Sequence, residues 1–214
     1  MRLDNSSLHH AIVRHFVDRQ HAPSIDQLAA YFGEPREAVI AGLKALQEYH
    51  GVVLHPASSE VWVQSAKGSW WANCAWCATG IAALVDGEAT FTTTLGGEAH
   101  RATVHIEDGK LLDDNLLVHF PIPMRKVWEN VIYTCSTILL FDSEARIDDW
   151  CHRHRIPKGD VQPLSRVWEM SRVWYGQHLS PDWKKWSGEE ARAIFEKFGL
   201  TSPTWDVPTS AARF

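Results

Sequence analysis

The stretch WWANCAWCATGI, residues 70–81, constrains this chain more than any other segment does. It opens an apolar run that predicts a helix, and it contains Cys74 and Cys77, two of the four cysteines in the sequence. A thiol at the N-terminus of a helix lies at the positive end of the helix dipole, which favours the thiolate. Two thiols one helical turn apart can bind one soft metal ion. The stretch therefore predicts a helix that carries a thiol site at its start.

A third cysteine, Cys135, lies in a second apolar segment, residues 131–141, which predicts a buried strand or the end of a helix. The spacing of Cys74 and Cys77 alone fits three kinds of site. A thioredoxin-like redox pair lacks the preceding strand and the βαβ pattern that it needs. Half of a zinc site needs further ligands, which the sequence CHRH at 151–154 supplies if the fold brings it near. A soft-metal thiolate site needs Cys135 beside the pair.

The composition is that of a soluble globular protein of one or two domains. The 214 residues are 45% apolar and 22% charged, and the formal net charge is −5. This charge does not predict nucleic-acid binding, and no apolar run is long enough to predict a membrane span. The first residues lack an apolar signal core, so we expect a cytoplasmic protein whose thiols stay reduced. We expect Cys151 to be a buried, inert thiol.

Residues 1–64 predict a winged-helix-like N-terminal domain of three helices followed by a hairpin. The signals are a cap at Ser6 or Ser7, a capping box from Ser24 to Gln27, a helix start at Pro35, and strands at 52–54 and 61–63. Such a unit often binds DNA. The candidate recognition region, residues 25–49, has few basic side chains to neutralise phosphates, so we expect no nucleic-acid partner.

Residues 65–69 predict a short linker, and residues 70–214 predict a second domain with a helical C-terminal tail. Its strands and helices are expected at 89–94, 102–106, 116–120, 143–150, 165–178 and 188–198. The whole chain is thus expected to be an α+β protein, with an antiparallel sheet flanked by helices in the second domain. Three aromatic residues near the cysteines are candidates to line an apolar substrate pocket, namely Trp71, Trp76 and Tyr133.

The segment around Cys74 resembles the active-site segment of the alkylmercury (organomercurial) lyase family. That family has the pattern WANCAWDALGI, and residues 71–81 here read WANCAWCATGI. The family's second essential cysteine is followed by F-x-S-E and then by a helix that contains D-W. This chain has Cys135, then FDSE at 141–144 and DW at 149–150. The family also begins with a winged-helix-like domain.

This resemblance, which extends over residues 1–155, implies an enzyme that cleaves carbon–mercury bonds by protonolysis. It implies that Cys74 is the attacking nucleophile and Cys135 the second thiolate. Cys77 stands where the family usually has an Asp that relays the proton, and it is expected to act as the acid or as a third thiolate. No cofactor is required, because mercury enters with the organometal substrate and leaves as product. The implied metal acceptor is a low-molecular-weight thiol or a mercuric reductase.

Three other functions stay open at this point. The first is a protein that binds Hg, Cu or Zn at Cys74, Cys77 and Cys135 without turnover. The second is a relative repurposed to act on a carbon–sulfur or carbon–heteroatom bond in a biosynthetic pathway. The third is a regulator that binds DNA through the N-terminal domain and senses metal through the cysteines.

Overall fold

The computed structural model describes residues 2–19, 22–49, 61–98, 100–208 and Phe214. The helices in these residues are α1 Asn5–Arg19, α2 Ile25–Phe32, α3 Arg36–Glu48, α4 Ala75–Leu84, α5 Val131–Thr137, α6 Glu144–His154, α7 Leu164–Tyr175 and α8 Gly188–Lys197. The strands are β1 Val61–Ser65, β2 Gly68–Ala72, β3 Ala89–Thr94, β4 Arg101–Glu107, β5 Lys110–Leu111, β6 Leu117–Phe120, β7 Leu140–Phe141 and β8 Asp160–Pro163. The expected α+β fold class is confirmed. None of the helices in these ranges is long and apolar enough to cross a membrane.

Helices α1, α2 and α3 pack around a small apolar core of their own, which also takes in Trp183 from the tail. The capping box predicted at Ser24 is present, and Gly33 ends α2 in the left-handed region at φ 69°. The cap predicted at Ser6 or Ser7 is wrong. The carboxylate of Asp4 takes that role, because it accepts a hydrogen bond of 2.9 Å from the amide of Ser7.

The main sheet has five antiparallel strands in the order β2-β1-β3-β4-β5. Residues 65–69, predicted as a linker, instead close the β1–β2 hairpin, in which Ser65 pairs with Gly68. The prediction failed because the short polar sequence around Gly68 is equally typical of a hairpin turn. Residues 61–63 were predicted to form one strand of a wing. They belong to β1, which pairs with β2 on one side and with β3 on the other side in the main sheet. Their expected hairpin partner, 52–54, lies outside the described residues, and the division into two domains stays a prediction.

A second antiparallel sheet, in the order β7-β6-β8, shares the large core with the first. Helix α4 crosses this core and packs against α7. Two contacts fix the approach of these helices: Thr79 Oγ1 lies 2.7 Å from Ser171 Oγ, and the ring of Tyr175 covers Gly80. The N-terminal helices contact the same body, because the indole of Trp70 donates a 2.8 Å hydrogen bond to the carbonyl of Phe16 in α1.

Gly80 is predicted to be required for the packing of α4 on α7. A Cβ at this position would lie 2.6 Å from Cε2 of Tyr175, so Gly80→Ala must displace the ring or the helix. We expect a loss of about 1–3 kcal/mol in the free energy of unfolding, measured by urea denaturation. The double variant Gly80→Ala/Tyr175→Ala should lose less than the sum of the two single variants. Strict additivity would contradict this account.

Candidate thiol site

Cys74 is the N-cap of α4, a position more often held by Ser, Thr, Asp or Asn. Its backbone is extended, and its Sγ accepts a hydrogen bond of 3.3 Å from the amide of Cys77, the third residue of the helix. The helix predicted in this segment is therefore present, and Cys74 lies at its start. The sulfur faces the positive end of the helix dipole, and the residue Cys74 is 2% exposed.

Cys135 reaches the same place from a separate segment, in the last turn of α5. Asn130 begins that short helix by accepting a hydrogen bond of 3.0 Å from the amide of Tyr133. The chain then leaves the helix, and the carbonyl of Ile138 accepts a 3.3 Å hydrogen bond from the amide of Ala75. This bond joins the residue after Cys74 to the residue that ends α5. It holds the two cysteine segments side by side.

The fold brings together the three cysteines that the sequence singled out. Their Sγ atoms all lie within 4.8 Å of one another, and those of Cys74 and Cys77 are 3.2 Å apart. All four cysteines of the chain are free thiols. Cys151 lies apart from this group, with its Sγ 3.6 Å from Nε2 of His119, in agreement with the expectation of a buried thiol. Three thiols at this separation form a set of soft ligands for one metal ion.

The negative charge of the cluster is favoured at Cys77. Hydrogen bonds from the thiols of Cys135 and Cys74 hold the pKa of Cys77 well below its ordinary value, and this outweighs the opposing effect of burial. Burial, followed by its hydrogen bonds to Cys135 and Cys77, raises the pKa of Cys74 well above the ordinary value. A thiolate at Cys74 was favoured by the helix dipole alone. Burial disfavours the charge at Cys74, and the two thiols that donate hydrogen bonds to Cys77 favour it there. The favoured position of the negative charge is therefore Cys77, one helical turn after Cys74.

Cys135 keeps its proton in the same arrangement. Its hydrogen bond with Cys74 lowers its pKa, but the hydrogen bond to Cys77, burial and the negative charge of Cys77 together raise the pKa above its ordinary value. Ionisation of one thiol raises the pKa of the two thiols beside it, because like charges repel each other. The arrangement thus favours one thiolate, at Cys77, over a cluster that carries two or three charges.

The thiols lie in the wall of a cavity of about 1040 Å³ whose surface is mainly apolar. Trp71 and Trp76 both line this cavity, and their role in holding a substrate stays a prediction. Tyr133 does not line it and is 45% exposed. Tyr133 and Cys135 are two positions apart in the chain, and this spacing places them on different sides of α5.

Tyr175, at the end of α7, lines the cavity where Tyr133 was expected to. Burial and then the charges of Cys77 and its two neighbours raise the pKa of this phenol well above its ordinary value, so it stays protonated beside the thiols. The glycine opposite, Gly80, was part of the sequence motif. No local signal in the sequence connects that glycine to a tyrosine 95 positions further along the chain.

Histidines in β4, β6 and α6 do not join the thiols. His105 is exposed and pairs with Asp113 at 3.0 Å, and His119 is buried with its Nε2 2.6 Å from the carbonyl of Lys158. His154 borders the cavity but is not within ligand distance of the three-cysteine group. The zinc site that needed ligands from residues 151–154 is therefore not assembled in the described residues.

Comparison with known proteins agrees with the geometry. The family model described as MerB, alkylmercury lyase, matches residues 55–176, a range that contains both sheets and all three cysteines. A solved structure described as the mercury-bound form of MerB2 superposes with a TM-score of 0.65 at 14% sequence identity. The superposition covers 84% of this chain and 100% of the other, so the two share a fold. No curated protein matches the sequence at a significant level.

The charge distribution in the cluster predicts a thiolate at neutral pH. The ultraviolet absorbance of thiolate should be present in reduced protein at pH values below the ordinary thiol pKa, because the pKa of Cys77 is lowered. Cys77→Ser should remove this absorbance. Cys151→Ser, outside the cluster, should leave it unchanged, and a spectrum of wild-type protein that shows no thiolate until alkaline pH would contradict the assignment.

Proposed function

This chain belongs to the alkylmercury lyase family, and we propose that it cleaves carbon–mercury bonds by protonolysis at Cys74, Cys77 and Cys135. The observation that carries the proposal is the approach of three thiol sulfurs to within 4.8 Å at the wall of a largely apolar cavity. Mercury is a soft metal for which sulfur is the natural ligand. The apolar wall suits the organic group that mercury carries into the site.

The first step forms a sulfur–mercury bond at Cys74. The thiolate of Cys77 takes the proton of the Cys74 thiol, and the sulfur of Cys74 binds the mercury of the substrate R–Hg–X. The Hg–X bond breaks in this step, and the ligand X leaves as an anion with the electron pair of that bond. The product of this step is R–Hg–S at Cys74 and a neutral thiol at Cys77. The hydrogen bond that already joins the two sulfurs at 3.2 Å supplies the path for the proton.

The second step breaks the carbon–mercury bond. The thiol of Cys77 gives its proton to the leaving carbon. The sulfur of Cys135 binds the metal, and its own proton passes to the sulfur of Cys77. The hydrocarbon R–H departs, and mercury stays bound to Cys74 and Cys135 as a dithiolate. The two electrons of the carbon–mercury bond leave with the carbon, so no oxidant, reductant or organic cofactor takes part.

In this scheme Cys77 does the work that the family pattern gives to Asp. A carboxylate is suited to the task because it is ionised at rest and can accept and return a proton near neutral pH. The thiol donors that lower the pKa of Cys77 give a cysteine the same property. The substitution of Asp by Cys in the motif is thus compatible with protonolysis. The dithiolate product is then passed to a low-molecular-weight thiol or to a mercuric reductase.

We predict that reduced wild-type protein releases benzene from phenylmercury in the presence of excess thiol, measured by headspace gas chromatography. Cys74→Ser and Cys135→Ser should abolish release, because each removes a metal ligand. Cys77→Ser should lower the rate by about 10²–10⁴-fold, the usual contribution of a general acid–base group. Cys77→Asp should retain activity, and Cys151→Ser should match the wild type. No release from either the wild type or Cys77→Asp would overturn the proposal.

A second candidate function is retention of a thiophilic ion without turnover. The observation in its favour is that the third ligand position is also a sulfur, since three thiolates hold Hg(II) more tightly than two. In that case the wild type would bind one Hg(II) per chain and release no hydrocarbon. Cys77→Asp would then release hydrocarbon, because it removes one sulfur and restores a carboxylate.

A further inference from the structure

The backbone around Cys74 and Cys77 has the topology that a redox pair requires. No strand before Cys74 and no βαβ pattern were predicted, and both are present. Strand β2 ends at Ala72, two residues before Cys74. This strand was missed because its sequence, GSWWA, does not alternate apolar and polar residues.

Strand β2, helix α4 and strand β3 follow one another in the chain. Strands β2 and β3 both run antiparallel to β1, which lies between them, so they are parallel to each other. The three elements therefore form a βαβ unit that is split by β1. Cys74 and Cys77 lie at the junction of its first strand with its helix, and a C-x-x-C pair in a βαβ unit is typical of thiol–disulfide exchange.

The sulfurs of Cys74 and Cys77 lie close to bonding distance. They are 3.2 Å apart, and a disulfide bond is about 2 Å long, so they must approach each other by about 1 Å. Cys74 is the N-cap of α4 and has an extended backbone, at φ −162° and ψ 177°. This conformation places its sulfur over the first turn of the helix, where the amide of Cys77 donates to it at 3.3 Å.

The third thiol of the cluster is placed differently. Cys135 lies on another helix, α5, and a backbone hydrogen bond between Ala75 and Ile138 connects that segment to the start of α4. Cys74 and Cys77 are instead held by one turn of one helix. Two thiols in the same turn have a high effective concentration for each other, so oxidation should join this pair and leave Cys135 as a thiol.

A small molecule can reach the pair through the cavity. All three thiols border this cavity, and its volume of about 1040 Å³ is enough for a drug-sized ligand. Cys74 is buried, whereas Cys77 is half-buried. Cys77 is therefore the sulfur of the pair that an incoming molecule meets first.

We propose that Cys74 and Cys77 are also a redox pair, which exchanges reversibly with low-molecular-weight disulfides. The thiolate of Cys77 attacks R–S–S–R, so that its S–S bond breaks, a mixed disulfide forms at Cys77 and R–S⁻ leaves. Cys74 then attacks the sulfur of Cys77 in the mixed disulfide. The Cys74–Cys77 bond forms, a second R–S⁻ leaves, and the proton of Cys74 passes to one of the two released thiolates. Two protein thiols are oxidised, R–S–S–R is reduced, and excess R–SH reverses both steps.

Oxidation takes Cys74 away from the metal site and leaves Cys135 as the one thiol of the cluster. The family pattern has Asp at the position of Cys77, and a carboxylate cannot form this bond. Redox control is thus a property that Cys77 adds to the motif. The loss of carbon–mercury cleavage on oxidation rests on the proposed function, whereas the exchange itself does not.

The test identifies the thiols that are oxidised in mixtures of reduced and oxidised glutathione without oxygen. After equilibration, the free thiols are blocked with iodoacetamide and the tryptic peptides are analysed by mass spectrometry. Trypsin separates the pair from the other two cysteines, because its peptides are 68–101 with Cys74 and Cys77, 127–146 with Cys135, and 147–153 with Cys151. We expect the first peptide to carry an internal disulfide and the other two to be alkylated.

The reference is the same chain unfolded in urea, in which only the sequence spacing keeps the two cysteines near each other. The buffer is described by the squared concentration of reduced glutathione divided by that of oxidised glutathione. The folded protein should be half oxidised at a value at least about tenfold higher than the unfolded chain, because the fold holds the sulfurs together. Cys135→Ser should keep the value of the wild type. Equal values for the folded and unfolded chain, or a disulfide that includes Cys135, would overturn the proposal.

Benzene release separates the redox pair from the lyase function. Oxidised wild type should release no benzene from equimolar phenylmercury, and reduction with dithiothreitol followed by its removal should restore release. If the disulfide forms as described but reduced protein releases no benzene, the lyase proposal fails and the redox pair stands. If reduced protein releases benzene but peptide 68–101 stays alkylated, the redox pair is refuted and the lyase proposal stands. Release from fully oxidised protein would contradict the role of Cys74 in the lyase scheme.

Discussion

Three successive backbone carbonyls, from the end of α5 to the start of β7, fix the position of Cys135 relative to α4 and the two sheets. The carbonyl of Ile138 accepts from the amide of Ala75 at the start of α4, and that of Leu139 accepts from His119 in β6 at 3.0 Å. The carbonyl of Leu140 accepts from Gly96, in the turn after β3, at 2.7 Å. One short segment thereby joins the thiol-bearing helix to both sheets. Without this junction Cys135 would have no fixed position beside Cys74, and the chain would have two thiols one turn apart but no three-sulfur cluster.

The same packing decides the ionisation of the cluster. An apolar wall disfavours charge, and the helix dipole favours it, so the two effects oppose each other at Cys74. A negative charge is instead favoured at Cys77, because hydrogen bonds from two neighbouring thiols lower the pKa of Cys77. The raised pKa values of Cys74 and Cys135 favour the protonated thiol at both positions. The proposed protonolysis needs both a thiolate that binds a soft cation and stored protons for the carbon. Three adjacent thiols, of which Cys74 is buried and Cys77 and Cys135 are half-buried, can supply both.

The sequence was informative where a signal is local. The cysteine-bearing helix, the strands at 89–94 and the capping box at Ser24 follow from periodicity and capping, and each is present. The segment around Cys135 was ambiguous because a short apolar run fits a helix as well as a strand, and the structure makes it a helix. The contribution of Tyr175 to the cavity could not be predicted. It depends on tertiary contacts between segments that no motif connects.

The central claim is that three thiols of one chain supply both the metal ligands and the proton. The most direct test is a single turnover, in which reduced protein is mixed with an equimolar amount of phenylmercury and no added thiol. Benzene and the remaining titratable thiols are then measured. The account predicts one benzene per chain and the loss of two thiols to mercury. Phenylmercury that stays bound intact, with thiols consumed and no benzene formed, would contradict it.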